Sequence, residues 1–170
     1  MSITLDGSNV STVGVINSAT AQNTTSGTII TFTGIPAGVK RITMMLNGVS
    51  TSGTSDVMIQ IGSGSLTTTG YLGMGSRLNA GGSGYTANTN GFRLEATVGG
   101  GAASTRYGLF VLTNLTGNTW VLSGQQSTDS AAIAAGYGSL ALSGVLDRMA
   151  LTTFNGTDTF DAGSVNILYE

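Results

Sequence analysis

The chain of 170 residues contains neither histidine nor cysteine. A Ser-His-Asp or Cys-His relay therefore lacks its base, and the imidazole and thiolate ligands of zinc sites are missing. For acid–base work there remain pairs of carboxylates, which cleave a glycosidic bond when held roughly 5 to 9.5 Å apart. The sequence offers two such pairs, Asp158 with Asp161 and Asp129 with Glu95. Asp158 and Asp161 flank expected turns, where aspartate caps backbone amides, so a structural role is the stronger expectation and no catalytic residue is assigned. Gly99-Gly100-Gly101 and Gly73-Met74-Gly75 lack the GxxxxGK[ST] spacing and following helix of a phosphate cradle, and read as turns. No cofactor and no metal is expected.

Sugar recognition needs no proton transfer. It uses aromatic faces against the apolar side of a pyranose ring and Asn, Asp or Arg on its hydroxyls. Tyr71, Tyr85 and Tyr137 supply rings, and Arg77, Asn79, Asn88, Asn90 and Asp129 supply polar partners; all fall in segments expected to be loops. A loop tyrosine packed on its own domain or on a neighbour is the competing reading for each. Trp120 lies in a regular run and is expected in the core or a subunit interface.

Charge removes further classes. One lysine and five arginines face eight carboxylates, only 8% of the chain is charged, and the net charge is -2. No basic patch can follow a phosphate backbone, so nucleic acid is not an expected partner. With so few charges, Ser, Thr and Asn must hydrate the surface or neighbouring subunits must cover part of it. The N-terminus MSITLDGSNV lacks the basic start and apolar stretch of a secretory signal. Ser130 to Leu146 is too short and too interrupted by glycine to span a membrane, and reads as a loop leading into a strand.

The elements that must position these residues are strands. Gly, Ser and Thr make up about two fifths of the chain, and its length suits one sandwich domain. The clearest stretch is Thr28 to Gly62, read as three strands. Ile42, Met44 and Leu46 share one face there, against Arg41, Thr43 and Met45. Pro36 and Gly38 set the first turn. Met44, Met45 and Met58 suit either the core or a neighbouring subunit. Residues 1–27 form an arm or edge strand with a surface tract from Ser18 to Gly27, and residues 28–170 form the sandwich. Ser63 to Asn90 reads as long loops with one short strand near Tyr71 to Met74, and Gly91 to Val98 as a strand. Arg106 to Leu115 and Thr119 to Gln125 make a hairpin around Thr116-Gly117-Asn118. The last third reads as a meander: Ser139 to Val145, Arg148 to Phe154, an Asn155-Gly156 hairpin turn, Thr157 to Asp161, an Ala162-Gly163 turn, and Val165 to Tyr169. About eight to ten strands imply an all-β, antiparallel, jelly-roll-like sandwich.

Three blocks carry a resemblance: ITFTGIPAGVKRITMMLNGVSTSGTS at 30–55, LTGNTWVLSG at 115–124 and ALSGVLDRMALTTFNGTDTFDAGSVNILYE at 141–170. Together they resemble the C-terminal β-sandwich domains of tailed-bacteriophage tail fibres and related virion fibre proteins. The resemblance implies a virion component, a homotrimer exposed outside the host cell among other virion proteins; attachment to a bacterial surface polysaccharide through the segments 63–105 and 125–138 is the expected task, and a structural capsid or tail protein the alternative. The resemblance carries over no catalytic residue. The chain starts at Met1 without a shaft, which fits a separately encoded fibre tip, a short fibre or a capsid decoration protein. In a trimer, Arg106 and Glu170 are available to pair across subunits.

Overall fold

The structure, a computed structural model, describes residues 15–96, 104–128 and 132–170. Fourteen strands and no helix occur among the described residues, ten of the strands having five or more residues. With numbering in chain order, one sheet contains β1 (Asn17–Ser18), β2 (Gln22–Asn23), β4 (Arg41–Thr51), β7 (Leu72–Asn79), β8 (Gly82–Asn88), β10 (Arg106–Thr116), β11 (Thr119–Thr128), β12 (Ala132–Ala141) and β14 (Phe160–Tyr169). The other contains β3 (Ile29–Thr33), β5 (Val57–Ser63), β6 (Ser65–Leu66), β9 (Phe92–Arg93) and β13 (Arg148–Thr153). The nine-stranded sheet runs β1-β14-β4-β10-β11-β12-β7-β8, with β2 also on β14; the smaller runs β3-β13-β5-β6, with β9 also on β5. Every pairing is antiparallel. The all-β sandwich expected from composition and alternation is the fold of the chain.

The core lies between the sheets. Ile42, Met44 and Leu46 of β4 turn inward beside Phe110 and Leu112 of β10, Trp120 and Leu122 of β11, and Val165 and Ile167 of β14. Opposite them sit Phe32, Ile59, Ile61, Met149 and Leu151. Each fully buried large apolar side chain contributes about 1.5 to 3 kcal/mol. β4 keeps the period-two alternation of a half-buried strand, whereas β5 and β13 are buried almost end to end and read as continuous apolar runs.

At the other end of the large sheet several inward positions, Gly73 and Gly75 on β7 and Gly136 and Gly138 on β12, are glycine. A Cβ on Gly136 would stand 2.7 Å from the Arg93 carbonyl oxygen and 3.0 Å from the Leu94 Cα, and one on Gly138 would stand 2.9 Å from the Phe92 ring. A Cβ on Gly75 would collide with the Glu95 carbonyl. These glycines let residues 91–95 lie directly on β7 and β12, a close backbone approach that no larger residue permits.

Several sequence expectations are corrected here. Residues 63–90 are chiefly the β7–β8 hairpin, not long loops. The expected strand over 91–98 is ladder-paired only at Phe92–Arg93, and its last two positions lie outside the described residues. The segment from Ser130 holds a ten-residue strand, β12, which replaces the shorter one expected at 139–145. The last third is no meander, because β12 and β14 belong to the large sheet and β13 to the small one. Asn155-Gly156 forms its tight turn, with Asn155 Oδ1 accepting the Thr157 and Asp158 amides, yet it connects two sheets instead of closing a hairpin. The expected strand at 157–161 begins only at Phe160, and Ala162-Gly163 is a bulged irregularity inside β14. Gly163 sits there at a φ of 91° against the Gly48 backbone, a placement open only to glycine.

Candidate functional site

The outer face of the large sheet can be written out from its register. One row across the strands reads Ser83, Leu78, Ile133, Ser127, Tyr107. The next reads Tyr85, Ser76, Ala135, Gln125, Leu109, and the third Ala87, Met74, Tyr137, Ser123, Val111. None of these residues is charged. Tyr85 is 80% exposed, and Leu72, Met74, Leu78, Ile133, Tyr137, Tyr107 and Leu109 are exposed too, so large apolar side chains are concentrated on the solvent side. Monomeric proteins rarely expose a contiguous apolar patch larger than a few hundred Å², and larger ones mark interaction surfaces.

On β7 and β12 the middle row is the low one. Ser76 and Ala135 are small and half-buried, and they lie between the ridges Leu78–Ile133 and Met74–Tyr137. A groove of about 410 Å³ follows, with Tyr85 at its outer end. Gln125 and Ile133 also line a second groove, of about 590 Å³, that reaches Tyr107 and Leu109.

Of the residues selected from sequence, only Tyr85 and Tyr137 stand exposed on this face, and they are on strands β8 and β12 instead of loops. Tyr71 is wholly buried: its hydroxyl accepts from the Ile61 amide at 2.8 Å and is 2.9 Å from the Thr67 carbonyl, and its ring meets Phe92 edge-on at 4.8 Å. Burial pushes its phenol up to about 12, against the opposing hydrogen bond from Ile61. Arg77 is buried beside Glu95, and Asn88 is buried with its amide nitrogen donating to the Gly91 carbonyl at 3.1 Å. These three are corrected from surface contacts to internal ones. Asn79 is half-buried on the β7–β8 turn and accepts the Gly81 amide, and Asn90 is half-buried with its carbonyl held by Gln60. Asp129 lies outside the described residues. Ser76, Gln125, Leu109 and Ile133 were not selected; only the register, which pairs distant strands, brings them beside the tyrosines.

Charged residues are used internally. Glu95, fully buried, accepts from Arg106 Nε at 2.7 Å and from Gln126 at 3.1 Å, with Arg77 at 3.7 Å. Burial pushes its carboxyl upward, and the Arg106 guanidinium pulls against that. Asp56 pairs with Arg93, whose guanidinium also covers the Phe154 ring at 4.0 Å. Arg106 therefore pairs within the chain, and Glu170 pairs with Arg41, so both partners of the expected cross-subunit pair are already engaged. Asp158 accepts the Ser55 amide at 2.8 Å and Asp161 accepts from the Ser50 hydroxyl, both structural duties. Among the described residues no cluster of three or more His, Cys, Asp or Glu side chains is placed to hold a metal. No helix among them is long and apolar enough to cross a membrane.

No family model matches the chain, and neither a curated protein nor a solved structure does.

Proposed function

We propose that the chain is a non-enzymatic virion protein of a tailed bacteriophage, a fibre tip or short fibre that attaches the particle to a bacterial surface glycan. The observation that carries this reading is the uncharged outer face of β7, β8, β10, β11 and β12, where Tyr85 and Tyr137 stand exposed over a groove of about 410 Å³. Aromatic rings beside hydroxyl and amide groups suit sugars, and the volume lies in the usual range of ligand clefts. The blocks that resemble fibre domains supply most of β3, all of β4, part of β11, and all of β13 and β14. The β7–β8 hairpin lies outside those blocks, at the far edge of the large sheet.

A second reading rests on the aliphatic content of the same face. Leu72, Met74, Leu78, Ile133 and Leu109 offer more apolar surface than a sugar requires, and favour a structural capsid or tail protein bound to other virion proteins or to copies of itself. The resemblance makes a homotrimer the expected assembly under either reading. Purified chain should bind bacterial cells, with competition by polysaccharide extracted from them, and label the tail tip in electron micrographs. A well-folded assembly that binds no cells and labels the head would establish the second reading.

A further inference from the structure

The low positions of the outer face are Ser76 on β7 and Ala135 on β12, with the exposed Tyr85 on β8 and Gln125 on β11 at either end of their row. With strands about 4.8 Å apart, the three steps from Tyr85 to Gln125 make a trough of roughly 14 Å. Its walls are Leu78 and Ile133 on one side and Met74 and Tyr137 on the other, roughly 6.8 Å away because side chains on one face repeat every second residue. Gln125 and Ile133 stand between this trough and the groove that reaches Tyr107 and Leu109.

Its chemistry narrows the occupant. Tyr85 at the outer end and Tyr137 on one wall offer ring faces, the floor offers the Ser76 hydroxyl, and the other end offers the Gln125 amide. A side-chain amide both donates and accepts, as a row of sugar hydroxyls requires. No charged side chain occurs in the three rows, and Arg77, which borders the groove, is buried against Glu95, so an acidic polysaccharide would give up hydration of its carboxylates with no exposed cation to meet them. Charge complementarity therefore selects an uncharged chain.

Resting on the attachment reading above, we propose that this trough binds a neutral oligosaccharide of a few pyranose rings, with Tyr85 and Tyr137 as stacking platforms and Ser76 and Gln125 as hydroxyl partners. Both tyrosines are exposed and their replacement leaves the core intact, so the site can be removed without unfolding the protein.

The test uses the full chain on an array of defined neutral and acidic bacterial oligosaccharides, followed by titration calorimetry with the best neutral binder. Binding to neutral members, weakened tenfold or more by Tyr85→Ala and by Tyr137→Ala and about threefold by Gln125→Ala, is the expected result. Ala135→Leu, which fills the floor and keeps both rings, should abolish it. Sedimentation of each variant should give the wild-type mass. Binding to no array member, preference for acidic members, or unchanged affinity in the tyrosine variants would overturn the proposal. A loss of assembly in those variants would overturn it too, by making the face a contact between copies. If the wild type binds cells in a polysaccharide-competed manner while the trough variants bind equally well, the trough assignment fails and the attachment reading survives; absence of cell binding by wild type removes the attachment reading itself.

Discussion

Tyr71 illustrates how a side chain suited to ligand contact becomes internal structure. Its hydroxyl serves the Ile61 amide and the Thr67 carbonyl, and its ring packs on Phe92. Tyr71→Phe should cost about 1 to 3 kcal/mol at neutral pH, because a buried polar group loses its partner. The pH dependence has a definite sign. The folded phenol titrates near 12 and the unfolded one near 10, so the native state holds its proton longer and this tyrosine's contribution to stability falls as pH rises above 10. Chemical denaturation at pH 9 and pH 11 should show the wild-type advantage over Tyr71→Phe shrinking by about 1 kcal/mol. Glu95 shows the corresponding case for charge. Glu95→Gln leaves the buried Arg106 without its acid and should cost about 3 to 5 kcal/mol in the same assay, whereas an exposed charge such as Lys40 should matter by well under 1 kcal/mol.

Among the elements, β7 and β12 explain why half of the large sheet was hidden in the sequence. Both have period two, but the bulky residues Leu72, Met74, Leu78, Ile133 and Tyr137 point outward while Gly73, Gly75, Gly136 and Gly138 point inward. Alternation read as apolar-inside then assigns no face, and glycine-rich text reads as loop. β4 carries the ordinary pattern, so Ile42, Met44 and Leu46 announced their face correctly. The Asn155-Gly156 turn was legible as a turn but not as a crossing between sheets, because local turn chemistry carries no information about which distant strand pairs next. The glycine floor makes a prediction opposite to intrinsic propensity. Alanine normally stabilises a strand relative to glycine by about 0.5 to 1 kcal/mol, but Gly136→Ala places a methyl group against the Arg93 and Leu94 backbone. It should instead destabilise by about 1 to 3 kcal/mol, measured as a lowered denaturation midpoint.

For the whole molecule, the division of labour follows from where the few charges went. Three of the five arginines, Arg77, Arg93 and Arg106, are buried with Glu95 and Asp56, and Arg41 at the start of β4 pairs with Glu170, so the outer face of β7, β8 and β10 to β12 carries no charge. If that face attaches the protein to cells as proposed, attachment should change little between low and moderate salt, where ion-pair recognition would weaken steeply. Tyr71, Tyr85 and Tyr137 were legible from the sequence as candidate contacts but not by which of them is exposed, and the neighbours Ser76 and Gln125 were not legible as candidates. Their proximity depends on the register of β8, β7, β12 and β11, which join residues up to tens of positions apart. The most direct measurement is amide hydrogen exchange on the intact assembly with and without polysaccharide from cells it binds. Added polysaccharide should slow exchange in β7, β8 and β12, with little change in β3 and β13 of the smaller sheet. Protection confined to the smaller sheet, or none at saturating polysaccharide, would contradict the assignment of the outer face as the attachment surface.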